Sequence, residues 1–185
     1  MLFVLLTGCT TSRVRMQQSF QPPESACRVA VIPFINETRY EDGELIFNRV
    51  LAAELLKFGK FIVAQEGDVQ QVYLQMRIGA NEIPTIDQVR IMAERLGSSV
   101  LIVGRIVEMT DDQQGRNRLP MLAVSLRMLD GHTGREFVAL FHKREGGDYR
   151  KLMQFGVEHS ITGLARRVAH EILERCNQEG LLKCE

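Results

Sequence analysis

The stretch CRVAVIPFINET, residues 27–38, decides the fold. Its core, VAVIPFI, is a short continuous apolar run rich in β-branched side chains, which reads as a strand buried on both faces. Pro33 interrupts the run. Proline cannot donate to a sheet ladder and belongs at an edge or a bulge.

Helices and strands follow in alternation. In GELIFNRVLAAELLKF (43–58), Phe47, Val50, Leu51, Leu55 and Phe58 share one helical face, and Gly59 sits where a left-handed C-cap is expected. KFIVAQ (60–65) reads as a second strand, and EGDVQQVYLQMRIG (66–79) as a helix closed by glycine. In PTIDQVRIMAERLG (84–97), Thr85 and Gln88 make a capping-box pattern and Gly97 stops the helix. SSVLIVGRIVEM (98–109) is a third strand and TDDQQGRNRLP (110–120) a polar connection. MLAVSLRMLDGHTGREFVALFHKRE (121–145) is a hairpin: Leu122, Val124, Leu126 and Met128 alternate with Ala123, Ser125 and Arg127, and the DGHTG turn has glycines placed for positive φ. A helix over 151–176 carries Ile161, Leu164, Val168 and Ile172 inward. The expected fold is a single compact α/β domain over 27–176, a mixed sheet of about five strands flanked by about four helices. Helical crossovers imply parallel pairing in its first half, and the hairpin supplies antiparallel strands in the second.

On either side of this domain the chain changes character. Residues 10–26 are polar, contain Pro22 and Pro23 and lack periodicity, which reads as a flexible tether of up to about 55 Å at about 3.3 Å per residue. Residues 177–185 form a short tail. The apolar run before Cys9 has eight residues, too few for a spanning helix of about 20. It is either the start of a buried strand or the end of a targeting segment that is cut away.

Bulk composition excludes several roles. Twenty-three basic residues balance 23 acidic ones, so nothing favours a nucleic-acid partner. The four histidines, His132, His142, His159 and His170, follow no metal-ligand spacing. His132 falls in a turn, His142 on an edge strand, and His159 and His170 on a polar helix face; each is read as solvated. Asp111-Asp112 and Glu41-Asp42-Glu44 lack the order of a calcium loop. Arg166, Arg167 and Arg175 interleave with Glu171 and Glu174 as a salt-bridged helix face. No catalytic residue, metal site or cofactor is assigned, and the chain reads as a non-enzyme.

VAVIPFINET (29–38), FIVAQEGDVQQVYLQ (61–75), AERLGSSVLIVGRI (93–106) and VSLRMLDGHTGREF (124–137) together resemble a superfamily of envelope lipoproteins. It contains the curli-secretion lipoprotein CsgG, the TolB N-terminal domain and the lipoprotein activators of penicillin-binding proteins. The resemblance implies a TolB N-terminal-like fold and a lipid anchor. Leu6-Thr7-Gly8-Cys9 is similar to a bacterial lipobox, making Cys9 the acylated residue. Only eight residues precede it, however, and none is basic. Thr10, rather than aspartate, after the Cys implies the outer membrane, with the domain facing the periplasm.

With Cys9 acylated, Cys27, Cys176 and Cys184 remain, enough for one bridge. Cys176–Cys184 is favoured and Cys27 is the competing partner. The channel-forming hairpins of the curli proteins are not found. The chain is therefore expected to be a non-catalytic binding or assembly factor for an envelope complex of the secretion, peptidoglycan-synthesis or flagellar type. An oligomeric curli-type secretion-channel component is the alternative. The protein partner would meet the loop Asn36, Glu37, Thr38, Arg39 and Tyr40, or the sheet edge near the 121–145 hairpin, and homo-oligomers are compatible with this reading.

Overall fold

The computed structural model describes residues 14–24, 26–79, 81–111, 119–151 and 155–184. In chain order the elements are β1 (Arg15–Gln18), β2 (Arg28–Val31), β3 (Ile35–Asn36), α1 (Gly43–Lys57), β4 (Ile62–Val63), α2 (Glu66–Gln75), α3 (Ile86–Leu96), β5 (Val100–Thr110), β6 (Met121–Asp130), β7 (Glu136–Glu145), a single 3-10 turn (Gly146–Tyr149) and α4 (Ile161–Gln178). They build one seven-stranded mixed sheet in the order β1-β7-β6-β5-β2-β4, with β3 also lying against β5. The β2, β3, β4 and β5 contacts are parallel, whereas β5-β6-β7-β1 is antiparallel.

Pro33 falls between β2 and β3, where the chain shifts against β5. Val31 opposes Ile102 and Ile35 opposes Arg105, so four steps on one strand face three on the other. This one-residue bulge is where a proline is tolerated. Phe34 turns inward there and its ring meets Phe47 edge-on at 5.1 Å. It also covers Gly104, where a Cβ would collide with the Phe34 ring and lie 2.5 Å from the Ser125 carbonyl.

Two apolar layers hold the helices to the sheet. On one face Phe47, Leu51 and Leu55 of α1 and Leu164, Val168 and Ile172 of α4 close over Val29, Ile102, Val124, Leu126 and Phe137. On the other, Val69 and Val72 of α2 and Val89 and Met92 of α3 cover Ala30, Leu101 and Val103. The β5-β6 bulge leaves Val107 43% exposed. Local grammar sets the helix ends. Thr85 and Gln88 form the capping box of α3, and Ser160 accepts from the Gly163 amide at 3.1 Å to start α4.

Several expectations change. The tether is shorter than 10–26, because Arg15–Gln18 pairs with Phe141–Val138 as β1 and becomes the sheet edge in place of β7. The tail after 176 is packed, with Leu181 and Leu182 buried. The last helix begins at Ile161, ten residues later than the apolar periodicity implied, since its start is fixed by the Ser160 cap. Helix α2 ends at Gln75, before its glycine, where Arg77 adopts a left-handed φ of 53°.

The sheet has two distinct ends. One carries the starts of β2 and β5 and the 130–134 turn. The opposite end carries the close of β5 and β7, the start of β6 and the loop after β3.

Candidate functional site

The loop after β3 is built around Asn36. Its Oδ1 accepts from the Thr38 amide at 3.0 Å and the Thr38 hydroxyl at 2.7 Å. Its Nδ2 donates to the Tyr40 carbonyl at 2.8 Å and to Glu44 Oε2 at 2.9 Å. The Tyr40 amide donates to the Thr38 hydroxyl at 3.1 Å. Side-chain oxygens of Asn and Thr fold a loop this way by replacing the missing backbone ladder. Gly43 completes the turn, since a Cβ there would sit 2.8 Å from Met109 Sδ. Of the five residues read as a partner loop, Asn36, Thr38 and Tyr40 therefore hold its shape. Glu37 and Arg39 point outward, with Glu37 ion-paired to Arg105. Tyr40 packs on the core, and burial followed by the charge of Asp111 raises its pKa.

The loop leads into a crevice of about 480 Å³ between α1 and α2, at the carboxyl ends of β2 and β4. α1 follows β2 and β3 onto one sheet face and α2 follows β4 onto the other, the arrangement that opens ligand crevices in α/β sheets. Leu45, Ala52, Leu56 and Val69 supply apolar wall, and Asp42, Glu44 and Asn48 supply polar groups. An Arg49–Glu66 ion pair at 3.0 Å straddles the two helices. α1 is apolar on both flanks: Phe47, Leu51 and Leu55 face the sheet, and Leu56 is 58% exposed.

A second polar cluster was not legible in the sequence. His142, read as solvated, is only 1% exposed, because its strand turns it under α4 and β1 takes the edge. Its Nε2 lies 2.5 Å from Glu171 Oε2, and Arg144 Nε donates to the same oxygen at 2.8 Å. Burial would raise the Glu171 pKa, but the hydrogen bonds from His142 and Arg144 outweigh it and hold the carboxyl below its ordinary range. Arg144 and Arg167 lie over the Tyr149 ring at 5.7 and 4.6 Å. Burial and then the Glu171 charge push the Tyr149 phenol well above its usual value. Arg167 also pairs with Glu158 at 3.3 Å. The helix-face reading thus fails for Glu171 and Arg167, which bond across elements, while Arg175 pairs with Glu179 along the helix. His132 and His159 are exposed, the latter preceding α4, and His170 stands 3.8 Å from the buried Glu54. Among the described residues no group of His, Cys, Asp or Glu is gathered as a metal site.

The disulfide corrects the favoured pairing. Cys184 bonds Cys27, with their Cα atoms 4.6 Å apart, and Cys176 is a buried free thiol. Cys176 points into the core from α4, and the tail carries Cys184 past it to the start of β2, where the Ala26 amide donates to the Lys183 carbonyl at 2.7 Å. Cys9 lies outside the described residues, as does most of the 110–120 connection.

No family model matches the chain, and no curated protein matches it. Solved structures share the fold. The PelC dodecamer from Paraburkholderia phytofirmans superposes with a TM-score of 0.58 at 14% identity, over 86% of this chain and 95% of that one. A hypothetical protein, CT253, from Chlamydia trachomatis gives 0.51 at 14% identity over 82% and 96%. Lipoprotein GNA1162 from Neisseria meningitidis gives 0.50 at 13% identity over 82% and 99%. At these identities the likeness is one of architecture.

Proposed function

We propose that this chain is a lipid-anchored, periplasm-facing, non-catalytic binding or assembly factor of a bacterial outer membrane. The observation that carries the compartment is the Cys27–Cys184 disulfide, since such bonds persist in oxidising surroundings and are rare in a reducing cytosol. The Leu6-Thr7-Gly8-Cys9 sequence supplies the anchor, and a fold shared with a solved lipoprotein fits it. The partner surface is the Asn36-ordered loop, with Glu37 and Arg39 outward, together with the crevice behind it.

A second reading is a homo-oligomeric ring, favoured because PelC is solved as a dodecamer on this architecture. A pore through hairpin β6-β7 is disfavoured, because Leu122, Val124, Leu126 and Met128 are spent in the core. Light scattering of the acylated protein, extracted in mild detergent, separates the two. A monomer or dimer that forms a specific heteromeric adduct from a photo-crosslinker at Arg39 supports the adaptor. A mass of many subunits supports the ring, and neither an adduct nor a ring defeats both.

A further inference from the structure

Resting on the reading of Cys9 as the lipid anchor, we propose that the domain sits directly on its leaflet, with the end of the sheet that carries Phe155 and the Asn36 loop turned to the lipid. β1 is locked into the sheet by its pairing with β7, and Val14 before it packs on the core. Only the five steps from Cys9 to Val14 can act as tether, which bounds the reach at about 17 Å.

The direction of β1 makes this bound decisive. Arg15 opposes Phe141 and Gln18 opposes Val138, so the chain runs back from Arg15 toward the end where β7 closes at Glu145. Val14 thus lies at the level of His142. From there to Glu136 is about 20 Å of strand, and the 130–134 turn extends further. That far end cannot reach the leaflet on a tether of about 17 Å, whereas the near end, where the tether leaves the sheet, can.

The near end suits a lipid surface. Phe155 is 73% exposed there; its carbonyl accepts from the Lys151 amide at 2.7 Å, and the Glu158 amide donates to the Gly146 carbonyl at 3.0 Å. Arg150 and Lys151 are exposed beside it with Glu145 and Asp148 as neighbouring carboxylates, and the 37–42 loop at the same end adds exposed Glu37, Arg39, Glu41 and Asp42. An aromatic ring with basic neighbours is a headgroup-level contact, and an acylated tether adds the apolar hold that one side chain lacks. The partner loop at 37–42 opens at this same end, so a partner would be met close to the membrane.

The chain has no tryptophan, so Phe155→Trp and, at the far turn, His132→Trp each introduce a single reporter. Both variants, produced as the acylated protein and placed in phosphatidylethanolamine–phosphatidylglycerol vesicles, are compared with and without brominated acyl chains. The Phe155→Trp variant is expected to lose most of its indole emission, while emission from His132→Trp stays unchanged. An unquenched Phe155→Trp variant, or quenching of His132→Trp instead, overturns the orientation if mass spectrometry of the same sample shows acylated Cys9. An unacylated Cys9 overturns the anchor, and the orientation with it.

Discussion

Nε2 of His142 meets Oε2 of Glu171 at 2.5 Å and joins the end of β7 to the middle of α4 beneath the surface. The contact is shared with Arg144, so one carboxylate serves two cationic or donating partners on the neighbouring strand. Removing that carboxylate takes the partner from His142 and leaves Arg144 only the longer Asp148 contact at 3.9 Å, in a part-buried site. Glu171→Ala is expected to cost about 3 kcal/mol in urea unfolding at pH 7.

The same pair fixes a pH dependence. The Glu171 pKa is lowered in the folded state, so its contribution is fully present above the unfolded carboxylate value of about 4.3 and is lost as pH falls through the folded value. The stability gap between wild type and Glu171→Gln should therefore be widest near neutrality and close below that range. Parallel unfolding curves at neutral and acid pH check this, and a gap that widens in acid would reverse the sign.

The three cysteines outside the anchor motif should behave differently. Burial pushes the Cys176 thiol up to about 12, so it should resist thiol reagents until the chain unfolds. The Cys27–Cys184 bridge links residues 157 apart, and Cys27→Ser with Cys184→Ser should cost about 2–5 kcal/mol. Non-reducing peptide mapping reads the pairing directly, and a Cys176–Cys184 peptide would refute it.

Gly104 has no room for a methyl group between the Phe34 ring and the Ser125 carbonyl. Gly104→Ala should destabilise by about 1–3 kcal/mol through overpacking. Phe34→Leu in the same chain should recover part of the loss, which thermal melts of the single and double variants would show.

Asn36 makes four hydrogen bonds within its loop and to α1. Asn36→Ala is expected to lose about 1–2 kcal/mol and open residues 37–42 to protease. Arg39→Glu, which reverses an exposed charge, should leave stability unchanged and weaken partner capture.

The helix and strand order was legible because its signals are local: the Thr85-Gln88 capping box, the Gly59 and Gly97 caps and the alternation of 122–128 act within one turn or one strand. β1 was not, because RMQQ is polar and becomes a strand only through the vacant edge of β7. His142 was misread for the same reason: an edge position in sequence became interior once β1 and α4 were in place. Cys27–Cys184 joins residues that only the completed sheet brings together, so spacing favoured the nearer thiol. The Asn36 loop was legible as a polar segment, but its division into shaping and outward residues depends on the α1 contact with Glu44.

In the proposed arrangement Cys9 carries the lipid that holds this domain at a membrane. Metabolic labelling with a palmitate analogue, with the chain expressed behind a complete lipoprotein signal, followed by mass spectrometry of the N-terminal peptide, tests it most directly. A mature chain beginning at an acylated Cys9 is expected in the membrane fraction, with the label lost in Cys9→Ser. Unmodified Cys9 still joined to Gly8 would contradict it.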